Sequence, residues 1–550
     1  MTKEDTSTTK ENSQIDLDTI LVNEIGQFGW FQARTILLAI ILVIFCAWSS
    51  AQYVFSTARI TTRCYIPECD SNEPEFSPDW VQNVFPSTGK NTYDGCQRFA
   101  NRSTLKPSAD ACPATWFDRD VLQECETRIY ENSDSIVYDY DLGCEEWRRS
   151  LIGTFRMLGL LTAQPLVGFV SDRWGRRTTL ALSGTTSVWI GILRYFANSY
   201  IGYSVFEFAE CFLGAGMYTS AYIVVMEVVG PKYRVMAGTT ISSFFSVGTM
   251  STALIAWAVP NWRHLTLVLY TPQLLIILYF WVMTESVRWY MSKGRYEDSE
   301  KLLKKIAEVN GKELSKKSLE CLRLSAEEEK RQALEKQNKN KNESMLVVQV
   351  IRHKKILIRC LVSPIWWITA NLIYYGLSIN AINLLGNKYL NYAMVAAVKI
   401  PGYWTAVLLL GQIGRKAVLI GGYWICGVCQ LAYIFLPEGH TNISFCLYLV
   451  GTYCIAMVMT SIYIYTTELY PTRHRHSLLA FSYMMGKIGA MVAPLIPALG
   501  ETIWVHLPYV LFATMAILSG FLVFITPETL GTKLPDTMEE ASNIGTAQQA

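Results

Sequence analysis

The sequence contains few charged residues for its length. Asp, Glu, Lys and Arg together make up 17% of the 550 residues, whereas a soluble domain usually carries about 25%. The mean hydropathy is correspondingly high, at +0.20. A formal net charge of only +2 gives no sign of a nucleic-acid partner. We therefore expect a chain that lies in a lipid bilayer.

Motifs of common catalytic and energy-coupling sites are also missing. The sequence contains no H-E-x-x-H, no G-x-S-x-G and no G-x-x-x-x-G-K-[ST] nucleotide-binding loop. Its cysteines do not follow zinc-site spacing. We therefore expect no enzyme activity, no metal, no cofactor and no nucleotide-driven pump.

Long apolar runs are abundant. A membrane helix needs about 20 apolar residues, and hydropathy predicts twelve such spans. They cover residues 36–58, 149–170, 178–197, 203–226, 236–257, 264–284, 357–379, 389–411, 417–436, 444–465, 477–500 and 505–526. Ahead of them, residues 18–32 are expected to form an amphipathic helix with Leu21, Ile25 and Phe28 on one face.

The distribution of charge predicts an orientation. Acidic residues are enriched in 59–148 and basic residues in 285–356, and basic loops favour the cytoplasm. We therefore expect an extracellular loop at 59–148 and both termini in the cytoplasm, in a multi-pass protein of the plasma membrane. The predicted regions are an N-terminal segment 1–35, a six-helix bundle 36–284 that includes the loop, a linker 285–356, a second bundle 357–526 and a tail 527–550.

Six cysteines lie in the predicted extracellular loop, which favours disulfides over free thiols. They are Cys64, Cys69, Cys96, Cys112, Cys125 and Cys144. Six cysteines allow 15 pairings, and the sequence does not choose among them. Asn101-Arg102-Ser103 in the same loop is a predicted glycosylation site.

Three landmarks occur twice, at an offset of roughly 240 residues, as duplicated six-helix halves require. Gly175-Arg176-Arg177 recurs as Gly414-Arg415-Lys416. Glu227, followed by Pro231 and Arg234, recurs as Glu468, followed by Pro471 and Arg475; Glu285 recurs as Glu528. The repetition predicts a transporter built from two related halves.

These motifs resemble those of the major facilitator superfamily, whose signature hairpin is similar to residues 168–177. Residues 25–32, 285–289 and 467–472 further resemble motifs of the organic cation/anion transporters, solute carrier family twenty-two, although Val287 replaces that family's usual proline. The resemblance implies an all-α membrane protein with twelve transmembrane helices in two pseudo-symmetric six-helix bundles, the major facilitator fold. A large extracellular loop after the first helix is also typical of the family.

The resemblance also implies alternating access around a central site. Charged residues at the cytoplasmic ends of the spans would then form an ionic gate between the halves, or static bridges that orient loops. They are Asp172, Arg173, Arg176, Glu227, Arg234, Glu285, Arg288, Glu468 and Arg475. Gly411 and Gln412 replace the Asp172-Arg173 pair in the second hairpin, so we expect an asymmetric gate.

Two lysines within spans are candidates for substrate binding, since a charge at membrane depth is costly and points to function. Lys487 stands where cation transporters of the resembling family tend to have Asp and anion transporters Arg; Lys399 stands where Glu or Asp is frequent. Both changes favour an organic anion. Glu207 and Glu210 could instead neutralise the lysines and leave a site for a cation or zwitterion.

Aromatic residues would complete the substrate site. Tyr218, Tyr222, Trp367 and Tyr374 resemble ligand-lining positions of the family, and Tyr403 lies one turn beyond Lys399. Ordinary helix packing is the alternative role. We thus predict a secondary-active or facilitative transporter that binds a small organic ion, preferably an anion, with a coupling ion or counter-substrate. A cation or carnitine-like zwitterion carrier, and a non-transporting membrane receptor, are the alternatives.

Overall fold

The computed structural model describes residues 17–89, 92–102, 112–316, 318–324, 327–328, 331, 346–437, 440–532 and 534–544. Parts of the predicted N-terminal segment, linker and tail therefore lie outside the described residues. Within the described ranges the chain is mostly helical, and ten helical segments are long and apolar enough to cross a membrane.

With two shorter or more polar helices, these segments give twelve in all among the described residues. They are α1 (Trp30–Ser56), α2 (Glu146–Trp174), α3 (Arg176–Arg194), α4 (Tyr200–Val228), α5 (Arg234–Ala258), α6 (Trp262–Val282), α7 (Lys354–Asn380), α8 (Lys388–Leu410), α9 (Arg415–Phe435), α10 (Thr441–Leu469), α11 (Arg475–Thr502) and α12 (Leu507–Val523). The twelve-helix prediction is confirmed. Pro165, Pro364 and Pro401 lie inside helices, as membrane bundles tolerate.

The twelve helices form two halves. In the first, α1 packs along α5, and α4 along both α2 and α3; in the second, α7 packs along α11, and α9 along α10 and α12. The halves meet where α5 packs along α8 and α2 along α11. Each contact between halves thus joins one helix from each repeat, as a duplicated fold requires.

The two ends of the bundle differ. The described residues of the loop between α1 and α2 (59–89, 92–102 and 112–145) lie at one end, here called the loop end. The turns between α2 and α3 and between α8 and α9 lie at the other, here called the hairpin end. Short helices also lie at the hairpin end: Leu17–Ile20, continued by a π-turn at Leu21–Ile25, then Val287–Ser292, Tyr296–Val309, Leu346–Arg352 and Met538–Asn543.

The prediction of one amphipathic helix over residues 18–32 is wrong beyond Ile25. The π-turn ends at Ile25, and Gly26 has φ +89°, a conformation that favours glycine. A new helix starts at Trp30. Leu21 and Ile25 are buried as predicted, whereas Phe28 lies in the intervening turn and is half exposed.

Two segments that are distant in sequence meet at this turn. Asn310 accepts a hydrogen bond from the Phe31 N–H (3.1 Å) and donates one to the Gln32 side chain (3.0 Å). A Cβ on Gly29 would collide with the Asn310 side chain. Gly29 and Gln32 are therefore needed to dock the chain after Tyr296–Val309 against the start of α1.

The loop after α1 is stabilised by disulfides and short strands rather than by a large core. Its strands are β1 (Thr62–Cys64), β2 (Ser87–Gly89), β3 (Thr92–Tyr93), β4 (Gln97–Asn101), β5 (Phe117–Glu124) and β6 (Arg128–Tyr130). They pair antiparallel as β1–β6, β2–β3 and β4–β5. These strands add to the predicted helical fold. Disulfides join Cys64 to Cys125, Cys69 to Cys112 and Cys96 to Cys144, which confirms that the loop cysteines are paired.

Asn101 ends β4 and is exposed, with its amide 3.0 Å from a Glu68 carboxylate oxygen. Ser103, the third residue of the glycosylation sequence, lies outside the described residues. Glycosylation of Asn101 remains a prediction.

The disulfide pairing is directly testable. Digestion without reduction should release three cross-linked peptide pairs that contain Cys64–Cys125, Cys69–Cys112 and Cys96–Cys144, measured by mass spectrometry. Cys426 and Cys454 are free thiols and should be recovered alkylated after denaturation. Recovery of a different linkage as the main species would contradict the loop architecture.

Candidate functional site

The two hairpins have nearly the same geometry. Gly175 and Gly414 adopt φ values of +98° and +100° and separate α2 from α3 and α8 from α9. Glu285 accepts hydrogen bonds from the backbone N–H groups of Arg176 (2.9 Å) and Arg177 (3.2 Å). Glu528 does the same for Arg415 and Lys416, at 3.0 Å each. Each acid therefore satisfies free N–H groups at a helix N-terminus and lies at its positive end.

The Glu285 carboxylate is largely buried, and this environment affects its charge. Burial raises the pKa of Glu285, although hydrogen bonds from the backbone of Ser286, Arg177 and Arg176 oppose the effect. Only glycine fits at position 175, because a Cβ there would collide with this carboxylate. The same argument holds for Gly414 and Glu528, where a Cβ would lie 2.7 Å from Oε2.

Arginine–glutamate pairs lie beside both hairpins. Arg176 contacts Asp172 at 2.9 Å and Glu227 at 3.6 Å. Arg415 contacts Glu468 at 3.1 Å. The second hairpin thus has one acid partner where the first has two, which agrees with the expected asymmetry.

Three of the remaining predicted gating residues, Arg234, Arg288 and Arg475, contact other parts of the chain. Arg234 and Arg288 both pair with Asp18, Arg234 at 2.6 Å. Burial alone would raise the pKa of Asp18, but hydrogen bonds and charges of Arg234 and Arg288 outweigh it and lower that pKa. Arg475 donates to the Tyr470 carbonyl at 3.4 Å, and Arg173 is exposed.

Every ion pair of the predicted gating residues joins residues of the same half or its terminal segment, as far as the structure describes the chain. At the loop end the halves are joined. Arg59, next to α1, contacts Glu146 of α2 (3.6 Å) and Glu501 of α11. The Thr154 hydroxyl also donates to the Met491 carbonyl (3.1 Å). In the observed conformation, the ion pair between Arg59 and Glu501 therefore holds the two halves together at the loop end.

Both candidate lysines are buried in the second half. Lys399 is 5% exposed and donates to the Ser378 hydroxyl (2.6 Å), with its Nζ 4.0 Å from the centre of the Tyr374 ring. Lys487 is 6% exposed, with its Nζ 4.6 Å from the Tyr483 ring and 5.9 Å from the Tyr375 ring. Neither forms an ion pair with a carboxylate of the described residues.

The tyrosines beside the two lysines belong to the second half, and two predicted tyrosines of the first half lie near the boundary between the halves. Tyr218 and Tyr222 of α4 stack at 6.3 Å. Tyr374 and Tyr403 of the second half share a hydroxyl–hydroxyl hydrogen bond of 2.8 Å. Tyr218 also packs against Phe245 of α5 at 5.6 Å, and the indole N–H of Trp404, next to Tyr403, donates to Ser243 of α5 (3.1 Å). These four predicted residues thus converge at the boundary between the halves.

Trp367 takes a different position. Its side chain is fully buried, its indole N–H donates to Thr466 (3.2 Å), and its ring packs against Tyr463 and Tyr483 at 4.6 and 5.6 Å. In this conformation Trp367 supports those two rings from behind.

The first half contains a buried cluster of four charges that was not predicted from the sequence. Glu207 accepts from Arg156 (2.7 Å) and Arg194 (2.5 Å), and Glu210 accepts from Arg194 (2.7 Å) and from the Tyr270 hydroxyl (2.5 Å). All four charged side chains are almost completely buried. Glu207 and Glu210 therefore neutralise arginines of their own half, and the proposed pairing of either acid with Lys399 or Lys487 is wrong.

Spacing could have revealed several of the missed residues. Arg156 and Arg194 are cations within predicted spans, and they equal the two acids of α4 in number. Neutralisation of these acids by these arginines was therefore the simplest interpretation. Ser378 follows Tyr374 by four residues, and Tyr483 precedes Lys487 by four. Residues at that spacing lie on the same helix face.

Comparisons with known proteins agree with this fold. The family described as "Sugar (and other) transporter" matches residues 111–540. The chain is 30% identical to the organic cation transporter protein of Drosophila melanogaster, over 96% of this chain and 94% of that protein. It is 29% identical to solute carrier family 22 member 6 of Rattus norvegicus, over 94% and 93%. The xylose transporter XylE from E. coli matches in its inward-open form with TM-score 0.53 and 16% identity, covering 71% of this chain and 88% of that one.

The duplicated helical halves, the paired hairpins and these matches define the class of the protein, a multi-pass membrane transporter with the major facilitator fold. Its relatives are transporters rather than enzymes. The chain belongs to the sugar (and other) transporter family and, within it, to solute carrier family 22, the transporters of small organic ions.

The charge cluster predicts a large stability effect. Glu207→Gln leaves one carboxylate for two buried guanidinium groups, and breaking a buried pair in this way costs roughly 3–5 kcal/mol. The unfolding midpoint of the purified protein in detergent, followed by tryptophan fluorescence, should fall by several degrees. Glu308→Gln, at an exposed position, is the matched control. Equal midpoints for the two variants would contradict the role of the cluster.

The hairpin predicts a second effect. Gly175→Ala places a Cβ against Glu285 and imposes on alanine a backbone conformation (φ +98°, ψ 163°) that is essentially restricted to glycine, which costs about 1–3 kcal/mol before any clash. We expect a lower unfolding midpoint and less protein at the cell surface. Gly168→Ala, where a Cβ meets no atom within 4 Å, should match the wild type. Indistinguishable behaviour of the two variants would exclude the proposed contact.

Proposed function

We propose that the protein is a secondary-active or facilitative transporter that prefers organic anions and works by alternating access. The observation that carries this proposal is the pair of buried lysines, Lys399 and Lys487, without a carboxylate partner among the described residues. A buried ammonium loses its hydration and needs compensation. A carboxylate or sulfate of the substrate would supply it.

The first half leaves this positive charge uncompensated. Its two buried acids already accept from Arg156 and Arg194, so the first half contributes no spare negative charge to the boundary. Attraction between an ammonium and an organic anion is strong where water is excluded. The net charge of the buried groups thus favours anions over cations.

The tyrosines would hold the organic body of the substrate. Tyr218 and Tyr222 approach from the first half, and Tyr374 and Tyr403 from the second. Aromatic rings pack well against flat apolar groups, and their hydroxyls remain available for hydrogen bonds. A site shared by both halves is also what alternating access requires.

The contacts between halves support a state that is closed at the loop end. The Arg59–Glu501 contact holds that end together, while the ion pairs at the hairpin end stay within one half.

We assign the hairpin end to the cytoplasm and the disulfide-linked loop to the outside of the plasma membrane, because the hairpins are basic and the loop is oxidised. Both termini would then be cytoplasmic, and the regions 36–284 and 357–526 would be the rocking units. Movement of the substrate would be coupled to an ion or to a counter-substrate.

An organic cation or carnitine-like zwitterion is the second candidate. It is favoured by the Drosophila relative, which is named an organic cation transporter, and by the tyrosine faces, which can bind cations. Under this alternative the lysines would tune the site rather than bind the substrate. A receptor that binds ligand without moving it would show no uptake at all.

Uptake of a charged panel separates these functions. In oocytes that express the chain, para-aminohippurate should enter faster than tetraethylammonium or carnitine, with and without a sodium gradient. Lys399→Gln and Lys487→Gln should each lower anion uptake by roughly tenfold or more, the factor that corresponds to 1.4 kcal/mol. Lys487→Asp should abolish it.

Lys388→Gln is the matched control, since Lys388 lies on the same helix as Lys399 but at the loop end, and it should keep wild-type uptake. Surface labelling corrects each rate for the amount of protein. Cation uptake that persists in Lys487→Asp, together with no anion uptake by the wild type, would refute the anion preference.

A further inference from the structure

The short helix Leu346–Arg352, immediately before α7, has an apolar face without a protein partner among the described residues. Val347 and Ile351 are 66% and 57% exposed, and Val348 is exposed as well. Val350 is buried on the opposite side. A helix that exposes its larger apolar residues to water is unstable unless another apolar phase covers them.

The exposed face continues into the membrane-facing surface of α7. Ile358 and Leu361 are exposed, Leu361 at 62%, on the part of α7 that follows directly. Only His353 separates the two helices. Because α7 is long and apolar enough to cross a membrane, we expect lipid to cover Leu361, and Ile351 lies shortly before the start of α7.

Basic residues occupy the level where the two helices join. Arg352, Lys354 and Lys355 are exposed. The hairpin between α10 and α11 adds Arg473 and His476, which are exposed as well. One buried cluster, which includes Val350, Ile356, Tyr470 and Leu478, holds the short helix against that hairpin.

Acidic groups at this corner come from the tail. Asp536 accepts from the Thr472 hydroxyl (2.8 Å), and its backbone N–H donates to Glu540 (2.8 Å). Glu539 is exposed on the helix Met538–Asn543, which joins the same buried cluster. None of these acids forms an ion pair with Arg352, Lys354 or Lys355 among the described residues. Those three bases therefore remain available to an external anion.

We propose that residues 346–358 form an interfacial anchor that binds anionic phospholipid headgroups. The apolar face enters the acyl-chain boundary, and Arg352, Lys354 and Lys355 contact lipid phosphates. Helices with this division of apolar and basic residues lie in the membrane interface. Basic clusters next to a membrane helix attract anionic lipids, with about 1 kcal/mol for each base near the surface. The anchor would fix the entry angle of α7, the helix that carries Tyr374, Tyr375 and Ser378.

The proposal is independent of the substrate, and purified protein tests it. Full-length chain in a mild detergent is mixed with palmitoyl-oleoyl phosphatidylserine or phosphatidylcholine, and bound lipid is counted by native mass spectrometry. The wild type should retain phosphatidylserine over phosphatidylcholine. Arg352→Gln/Lys354→Gln/Lys355→Gln should bind phosphatidylserine about tenfold more weakly, allowing for partial screening of three bases.

Lys301→Gln/Lys305→Gln/Lys312→Gln removes the same charge from exposed positions elsewhere in the linker and should bind as the wild type does. Lys354→Arg/Lys355→Arg keeps the charge and should retain binding. Ile351→Gln, with all bases intact, should also weaken retention, because the apolar face contributes. Equal loss in both triple variants, no preference for phosphatidylserine in the wild type, or full displacement by soluble glycerophosphoserine would each overturn the proposal.

Discussion

Neutralisation of buried charge is the constraint on which the interior of this protein depends. A charge between membrane helices loses its hydration, and it persists only beside an opposite charge or strong polar partners. The first half meets this requirement internally, with Arg156 and Arg194 against Glu207 and Glu210. Among the described residues of the second half, Lys399 and Lys487 have hydroxyl and aromatic neighbours and no carboxylate partner. In the proposed function, an anionic substrate would supply the missing negative charge.

The two halves have similar hairpins but different buried side-chain clusters. Both hairpins retain a glycine with φ near +100°, a capping glutamate and an arginine–glutamate pair. Inside, Tyr433, Tyr448 and Tyr509 follow Arg194, Glu207 and Tyr270 by roughly 240 residues. Tyr433 and Tyr509 stack at 4.3 Å, and the Tyr448 hydroxyl donates to the Leu377 carbonyl. A neutral tyrosine cluster thus replaces the ionic one, which shows that ionic pairing is not required to fill this part of the fold.

Hydropathy and motif spacing predicted the helices and the duplication, because both depend on local composition and on a repeated offset. Hydropathy and the family resemblance also named Lys399, Tyr374 and Tyr403, which the structure brings together, and their role in substrate binding stays a prediction. They did not predict that Arg234 and Arg288 share Asp18, since that contact joins segments more than 200 residues apart. The disulfide pairing likewise could not be predicted from the sequence, because six cysteines allow fifteen pairings. Partner choice among distant charges depends on tertiary geometry, which spacing along one helix does not encode.

The distribution of bonds bears on how the two halves could move. Ion pairs at the hairpin end and the buried cluster lie within one half, so rocking of the halves would leave them intact. Among the described residues, the polar contacts between the halves that such a movement would break are the half-exposed Arg59–Glu501 pair, the Thr154–Met491 hydrogen bond and the Trp404–Ser243 hydrogen bond of 3.1 Å. Exposed ion pairs contribute at most about 1 kcal/mol each. In the proposed function, interactions of this size would leave the balance between the two states to substrate binding at Lys399 and Lys487. In the proposed cycle, an anion binds between these lysines and the tyrosines of the first half. Because it binds one conformation of the transporter more tightly than the other, it shifts the population towards that conformation.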